Sequence, residues 1–128
     1  MYSYNSYHKI VIGLLLVVWA MYQFSGRTDE IPTYNNGQEK RTGEVVNSLN
    51  QGVWTWYYGN GKVQLTGAFD EGNRIGIWKS YDTLGNLLVE STYQNNILNG
   101  LFTEYSTSGE IISQYIYRAD TIKERLVE

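Results

Sequence analysis

The chain has 128 residues, a formal net charge of -3, one histidine, one proline and no cysteine. This length allows about one domain, and the lack of cysteine excludes disulfide frameworks, cysteine metal sites and thiol catalysis. The charge is spread along the chain without a basic run, which disfavours nucleic-acid binding.

The most apolar stretch comes first, at residues 9–24, KIVIGLLLVVWAMYQF, where the fifteen residues after Lys9 carry no charge. A membrane core of about 30 Å normally takes roughly 20 residues, so this stretch fits a short membrane helix or a signal-peptide core. Tyr22, Gln23 and Phe24 stand where a cleavage site needs small residues. We therefore predict an uncleaved anchor over residues 1–24, with a removed signal segment as the alternative.

Residues 10–24 of this anchor are predicted to contact the bilayer. The membrane residues in this prediction are Ile10, Leu14, Leu15, Leu16 and Trp19. Lys9 precedes the apolar stretch, whereas Arg27 follows it together with Asp29 and Glu30. This charge distribution favours an N-terminus inside the cytoplasm and a single-pass protein whose remaining residues are periplasmic or extracytoplasmic.

A polar stretch follows at residues 25–36, SGRTDEIPTYNN, which contains Pro32 and has neither helical nor strand periodicity. It is predicted to be a linker. A repeat domain is predicted over residues 37–123, and residues 124–128 form a tail or cap. Because RADTIKERLVE places Leu126 in the Trp54 column, this end is either a truncated fifth unit or a short capping helix.

The repeats have a constant period of 24 residues. Units beginning at Gly52, Gly76 and Gly100 align without a gap, and a half repeat containing Gly37 and Gly43 precedes them. The aligned columns are Trp54, Trp78 and Phe102; Tyr57, Tyr81 and Tyr105; Gly61, Gly85 and Gly109; and Phe69, Tyr93 and Tyr117.

Each unit has two alternating runs around a glycine turn, which is typical of a β-hairpin. A two-residue turn at Asn60-Gly61 would place Trp54 opposite Gly67, Trp56 opposite Leu65, and Tyr58 opposite Val63. A large ring facing a glycine then covers the bare backbone. The predicted fold class is all-β: an elongated, single-layer antiparallel β-meander of about three and a half hairpin repeats, preceded by one membrane helix.

The pattern G-x-W-x-x-Y, a turn glycine, and then G-x-F-x-x-G, read from Gly52 to Gly72, resembles the bacterial variant of the MORN repeat. The resemblance covers about residues 34–123. The later units depart from it, because Ser91 and Tyr115 replace Gly67, and Asn96 and Asp120 replace Gly72. The resemblance implies an elongated twisted sheet used for association with proteins or lipids, and bacterial members are often labelled antitoxins.

Catalysis is not expected. His8 precedes the apolar stretch, so the repeats cannot supply a Ser-His-Asp triad or a histidine metal cluster. The scattered Asp and Glu residues are typical of turns and solvent-facing strand positions. We therefore predict no catalytic residue, no metal site and no cofactor.

The aromatic columns are assigned two roles. Repeat packing is predicted for Trp54, Trp78, Phe102, Phe69, Tyr93 and Tyr117, and partner binding for Tyr57, Tyr81 and Tyr105. The predicted function is a membrane-anchored protein-interaction module, an accessory or scaffold subunit that binds another protein of a membrane complex. The alternative is a secreted or cytoplasmic antitoxin-like binding protein. A binder of anionic lipid surfaces is disfavoured because the three units contain few basic residues.

Overall fold

The computed structural model describes residues 30–127. The predicted anchor, with Ile10, Leu14, Leu15, Leu16 and Trp19, lies outside the described residues. Within residues 30–127, no helix combines the length and the apolar character needed to cross a bilayer.

The described residues form one antiparallel sheet of eight strands, which are arranged in the order of the sequence. The strands are β1 (Arg41–Val46), β2 (Leu49–Tyr57), β3 (Val63–Asp70), β4 (Asn73–Tyr81), β5 (Leu87–Gln94), β6 (Ile97–Tyr105), β7 (Ile111–Arg118) and β8 (Thr121–Val127). The predicted all-β antiparallel meander is therefore confirmed. Thr121–Val127 forms a strand, as in the truncated-unit alternative, and not a capping helix.

Two-residue turns close one end of the sheet. Both turn residues have positive φ, for example 46° at Glu71 and 82° at Gly72, which is the type I′ geometry suited to the twist of a hairpin. The same geometry occurs at Ala119 and Asp120, with φ of 49° and 60°. The last turn of the third unit therefore forms although it lacks the glycine of the first unit.

Wider turns close the other end. The backbone N–H of Tyr58 donates to the Lys62 carbonyl at 2.8 Å, and that of Gly61 donates to the Tyr58 carbonyl at 3.0 Å. The turn residues lie between Tyr57 and Val63, which are paired across the hairpin. The predicted opposition of Tyr58 and Val63 is therefore wrong, because the turn is longer than two residues and Gln64 forms a bulge.

The wider turn recurs with the same backbone bonds at Tyr34, Asp82 and Ser106. Side chains join successive turns along this end of the sheet. The Tyr58 hydroxyl donates to the Tyr81 carbonyl at 2.7 Å, and Asn60 Nδ2 donates to the Thr83 carbonyl at 2.8 Å. These bonds connect turns of consecutive repeats, so they hold neighbouring hairpins in register.

The tryptophan column is positioned by bulges between hairpins. Trp54 pairs with Gly67 and Trp56 with Leu65, as the sequence predicts. The ring that covers Gly67, however, belongs to Trp78: a Cβ on Gly67 would lie 2.1 Å from Trp78 Cδ2. Trp54 covers Gly43 in the same way. The predicted cover is therefore shifted by one hairpin, because Trp78 lies in a bulge of β4, residues 76–78, that opposes Gly67.

Candidate interaction surfaces

Side chains alternate between two faces of the sheet, and the ladder pairs fix which side chains share a face. We define the tryptophan face by Trp54, Trp56, Leu65, Phe69, Trp78, Tyr93, Phe102, Tyr115 and Tyr117. We define the tyrosine face by Thr55, Tyr57, Thr66, Lys79, Tyr81, Glu90, Thr103 and Tyr105. The predicted packing residues and the predicted partner-binding tyrosines therefore lie on opposite faces of the sheet.

Aromatic packing on the tryptophan face supplies most of the apolar burial. Trp54 and Trp78 are only 6% and 5% exposed. The Phe69 ring meets Trp78 edge-on at 5.0 Å between centroids, and Trp56 lies 5.8 Å from Trp78. Tyr93 extends this cluster, with its ring 6.2 Å from that of Trp78. Such contacts add to area burial and stabilise a sheet that has no second layer among the described residues.

A second, smaller cluster lies on the same face in the third unit, where the Phe102 and Tyr117 ring centroids are 5.7 Å apart. Buried Ser91, in the Gly67 column, lies between the two clusters and is paired with Phe102. Buried Ser113 lies beside the second cluster and donates a hydrogen bond to Glu104. Between the second and third units, the buried Ser91 hydroxyl group therefore takes the place of the glycine that a tryptophan ring covers between the first and second units.

Three arginines place their guanidinium groups over these rings. Arg74 Cζ lies 4.1 Å from the Tyr93 centroid and 6.0 Å from that of Trp78. Arg41 Cζ lies 5.8 Å from the Trp54 centroid, and Arg125 Cζ 5.6 Å from that of Tyr115. The ring quadrupoles attract the guanidinium charges, which places cations on an aromatic surface. The sequence columns do not reveal these arginines, because they occupy different positions in their units.

An open groove of about 350 Å³ lies at the wide-turn end of the sheet, where Trp56 and Leu65 of the tryptophan face meet Tyr81 of the tyrosine face. It is lined by Trp56, Tyr58, Gln64, Leu65, Ser80, Tyr81 and Leu88. Most of its wall is apolar, with one amide and hydroxyl groups at its edge. Arg41 is paired with Trp56 across β1 and β2, so a cation lies on the strand beside the groove.

The tyrosine face has a different chemistry. Lys79 Nζ lies 2.9 Å from Glu90 Oε1, and the Tyr105 hydroxyl donates to Glu90 Oε2 at 2.7 Å. Tyr57 and Thr42 share a hydrogen bond of 3.3 Å between their hydroxyl oxygens. The structure thus places Tyr57, Tyr81 and Tyr105 in one column and binds two of them to polar neighbours.

The Lys79, Glu90 and Tyr105 side chains change one another's ionisation. The hydrogen bond with Glu90 raises the pKa of Lys79, and the bonds from Lys79 and Tyr105 lower the pKa of Glu90. The pKa of Tyr105 is raised mainly because its hydroxyl proton is held by Glu90. The neutral phenol, the carboxylate and the ammonium group therefore persist together at neutral pH.

An exposed aliphatic column also lies on the tyrosine face. Val53, Ile77 and Leu101 are 69%, 58% and 41% exposed, although each is a large apolar side chain. Each is the residue between the unit glycine and the Trp or Phe, so the alignment at a period of 24 contains this column. Sequence reasoning missed its role because a variable aliphatic position in a strand is normally assigned to the core.

Among residues 30–127, no group of three or more His, Asp or Glu side chains is arranged to hold a metal ion. The Asp82 carboxylate serves its own turn instead. It accepts hydrogen bonds from the Asn86 side chain and backbone, which lower the pKa of Asp82.

The repeats match a known family model. Residues 50–70 and 74–95 match the model described as the MORN repeat variant, and each match spans one hairpin, β2–β3 or β4–β5. Hairpins β2–β3 and β4–β5 are MORN-variant repeats. Comparisons with curated proteins and with solved structures find no match to the chain. MORN repeats generally serve interactions with proteins or membranes. These two hairpins contain Trp54 and Trp78, together with Val53 and Ile77 of the aliphatic column and Tyr57 and Tyr81 of the tyrosine column.

Proposed function

We propose that the protein is a non-catalytic, membrane-anchored interaction module that docks onto another protein of a membrane assembly. The observation that carries the proposal is the exposed aliphatic column on the tyrosine face. Ile77 and Val53 are more than half exposed, and among the described residues no element covers them. Large exposed apolar side chains in a row are typical of surfaces that bind proteins.

The neighbouring tyrosine column adds polar contacts to the same surface. Tyrosine is favoured at protein interfaces because its ring is apolar and its hydroxyl group can form a hydrogen bond. Tyr81 lies between Tyr57 and Tyr105 in this column. The hydroxyl groups of Tyr57 and Tyr105 form hydrogen bonds, whereas that of Tyr81 forms none within residues 30–127. We propose Tyr81 as the central polar contact, flanked by Tyr57 and Tyr105.

Residues 10–24 supply the proposed anchor, since they are apolar and end in bulky residues, Tyr22, Gln23 and Phe24, where cleavage would need small ones. The proposed topology places the MORN-variant repeats outside the cytoplasm. It is tested with Thr107→Cys, a cysteine at an exposed turn of a chain that otherwise has none. A membrane-impermeant maleimide should label this variant in intact cells; labelling only after lysis would reverse the topology.

The function is tested by purifying the tagged full chain in mild detergent, followed by mass spectrometry of its N-terminus and of co-purifying proteins. An intact N-terminus with stoichiometric membrane proteins is expected. Ile77→Asp should release those proteins. Leu84→Asp is the matched control, because Leu84 is 73% exposed at a turn outside the column.

Equal retention of partners by both variants would contradict the proposed surface. A cleaved N-terminus without membrane partners would instead support the secreted antitoxin-like alternative, and would remove the anchor from the proposal.

A further inference from the structure

We propose that the tryptophan face is a second docking surface, and that it binds an acidic segment of a partner protein that also carries an apolar side chain. This inference rests on the proposed interaction function and adds a face and a partner chemistry to it. Its basis is the combination of an aromatic surface, an open apolar groove at the wide-turn end and arginines placed over the rings.

The charge of this face differs from that of the whole chain. The chain has a formal net charge of -3, yet Arg41 and Arg74 both lie on rings of the tryptophan face. Glu104, an acidic residue of the same face, already accepts a hydrogen bond from Ser113. The face therefore presents cations from an acidic protein, and the complementary ligand is anionic.

The arginines are held in a manner that suits carboxylate binding. Arg74 Cζ lies 4.1 Å from the Tyr93 centroid, and a guanidinium group over a ring keeps N–H groups with which it can bind a carboxylate in a planar, bidentate manner. Arg74 Nε also donates to Asn96 Oδ1 at 3.4 Å, a contact that helps to orient the group. The order imposed by the rings lowers the entropy lost when a carboxylate binds.

The groove supplies the apolar part of the site. Trp56 and Leu65 form its wall, and Arg41 is paired with Trp56 across the ladder. A partner side chain in the groove would bring the next residues of its segment close to Arg41. Trp56 remains half-buried, whereas Trp54 and Trp78 are buried, so Trp56 offers the ring surface for this contact.

A polypeptide is favoured over an anionic lipid surface because the site is mixed. A lipid surface calls for a row of exposed basic side chains, whereas the cations here are few and partly covered by rings. Tryptophan, tyrosine and arginine together are the residues enriched in the centres of protein interfaces.

The proposal is tested by selecting a displayed library of random short peptides on the detergent-solubilised full chain. Peptides that combine Asp or Glu with an aromatic or aliphatic residue should be enriched. Their affinity should fall about tenfold in the Arg41→Gln/Arg74→Gln variant, as expected for loss of hydrogen bonds to charged groups. Arg118→Gln is the matched control, because Arg118 is exposed at the far turn and lies over none of these rings.

Enrichment of peptides without acidic residues, or equal binding to both arginine variants, would overturn the proposal. Arginine-dependent binding to phosphatidylglycerol in mixed micelles, with no acidic peptide enriched, would assign the face to lipid headgroups and overturn it as well. The circular dichroism melting curve of each variant checks that the sheet is intact. If Ile77→Asp releases the cellular partners while the double arginine variant retains them and binds the selected peptides as well as the Arg118→Gln control does, this inference fails and the interaction function stands.

Discussion

The indole ring of Trp78 lies directly on the backbone of Gly67, where an added Cβ would come within 2.1 Å of Trp78 Cδ2. The two residues belong to consecutive hairpins, on β3 and β4. Their contact therefore joins one MORN-variant repeat to the next, and the absence of a side chain on Gly67 is what makes it possible.

Gly67→Ala should destabilise the sheet by roughly 1 to 3 kcal/mol, because the methyl group would force the Trp78 ring away from β3. Gly59→Ala is the matched control, since its Cβ would meet nothing closer than Tyr34 at 3.9 Å. Denaturant unfolding of both variants checks the prediction. Equal midpoints for the two variants would show that the ring adjusts without cost.

Trp78→Ala should destabilise by roughly 3 to 5 kcal/mol, because a buried aromatic ring is removed from the centre of the larger cluster. In this background, Gly67→Ala should cost far less than it does alone, since the clashing ring is gone. The double-mutant cycle measures that coupling. An unchanged melting curve for Trp78→Ala would contradict the packing role of the ring.

Ala119→Asn should stabilise the protein. Ala119 has φ of 49°, a left-handed conformation that costs a residue with a Cβ roughly 1 to 2 kcal/mol, and asparagine tolerates it better. We expect a gain of about 1 kcal/mol in the free energy of unfolding. Asn95→Ala, at the equivalent position of the preceding unit, should lose a similar amount. A loss of stability in Ala119→Asn would refute the turn assignment.

Glu90→Gln should reduce stability at neutral pH and have less effect in acid. The hydrogen bonds from Lys79 and Tyr105 lower the pKa of Glu90 in the folded protein. Its contribution is therefore complete above the ordinary carboxyl pKa of 4.5 and is lost as the pH falls through the lowered value. Urea midpoints measured over a pH series test this sign. Glu44→Gln is the control, because Glu44 is exposed on β1. The difference between its urea midpoint and that of the unmodified protein should not shrink in acid as the difference for Glu90→Gln does.

Tyr81→Ala should weaken partner retention more than it changes stability, because the Tyr81 side chain is half-buried on the tyrosine face and lies outside the ring clusters. The measurement compares co-purifying protein with the melting temperature. Trp78→Ala provides the contrast, since it should act first on stability. The opposite ranking would exchange the roles assigned to the two columns.

The period of 24 residues and the glycine turns were sufficient to predict the hairpins and their antiparallel order. The opposition of Trp54 to Gly67 was predicted from a two-residue turn, and it holds because the Gln64 bulge offsets the longer turn that the structure has. The period could not predict which strand each ring covers. That choice depends on the bulge at residues 76–78, which opposes Gly67. A bulge is difficult to predict from one sequence, because a glycine such as Gly76 is equally typical of a turn.

The tyrosine face was less predictable than the tryptophan face. The Lys79–Glu90 pair joins directly opposed residues of β4 and β5, so it could be found only once the exact register was known. The wide turn is longer than predicted and is accompanied by a bulge at Gln64. Between Trp56 and the turn, the residues of β2 and β3 therefore pair differently from the prediction, as Tyr57 does with Val63. The aliphatic column was present in the alignment, but exposure is a property of the single sheet and not of the residue type.

Each described strand pairs only with the strands that precede and follow it in the chain. All of the ladder contacts therefore join residues close in sequence. In a β-sandwich, by contrast, many strands pair with strands that are distant in sequence. Low contact order is associated with rapid folding. A hairpin such as β2–β3 can form as soon as its own residues are free, and each later hairpin then adds to an existing edge. The sheet is thus suited to assembly from one end while the chain is still being synthesised.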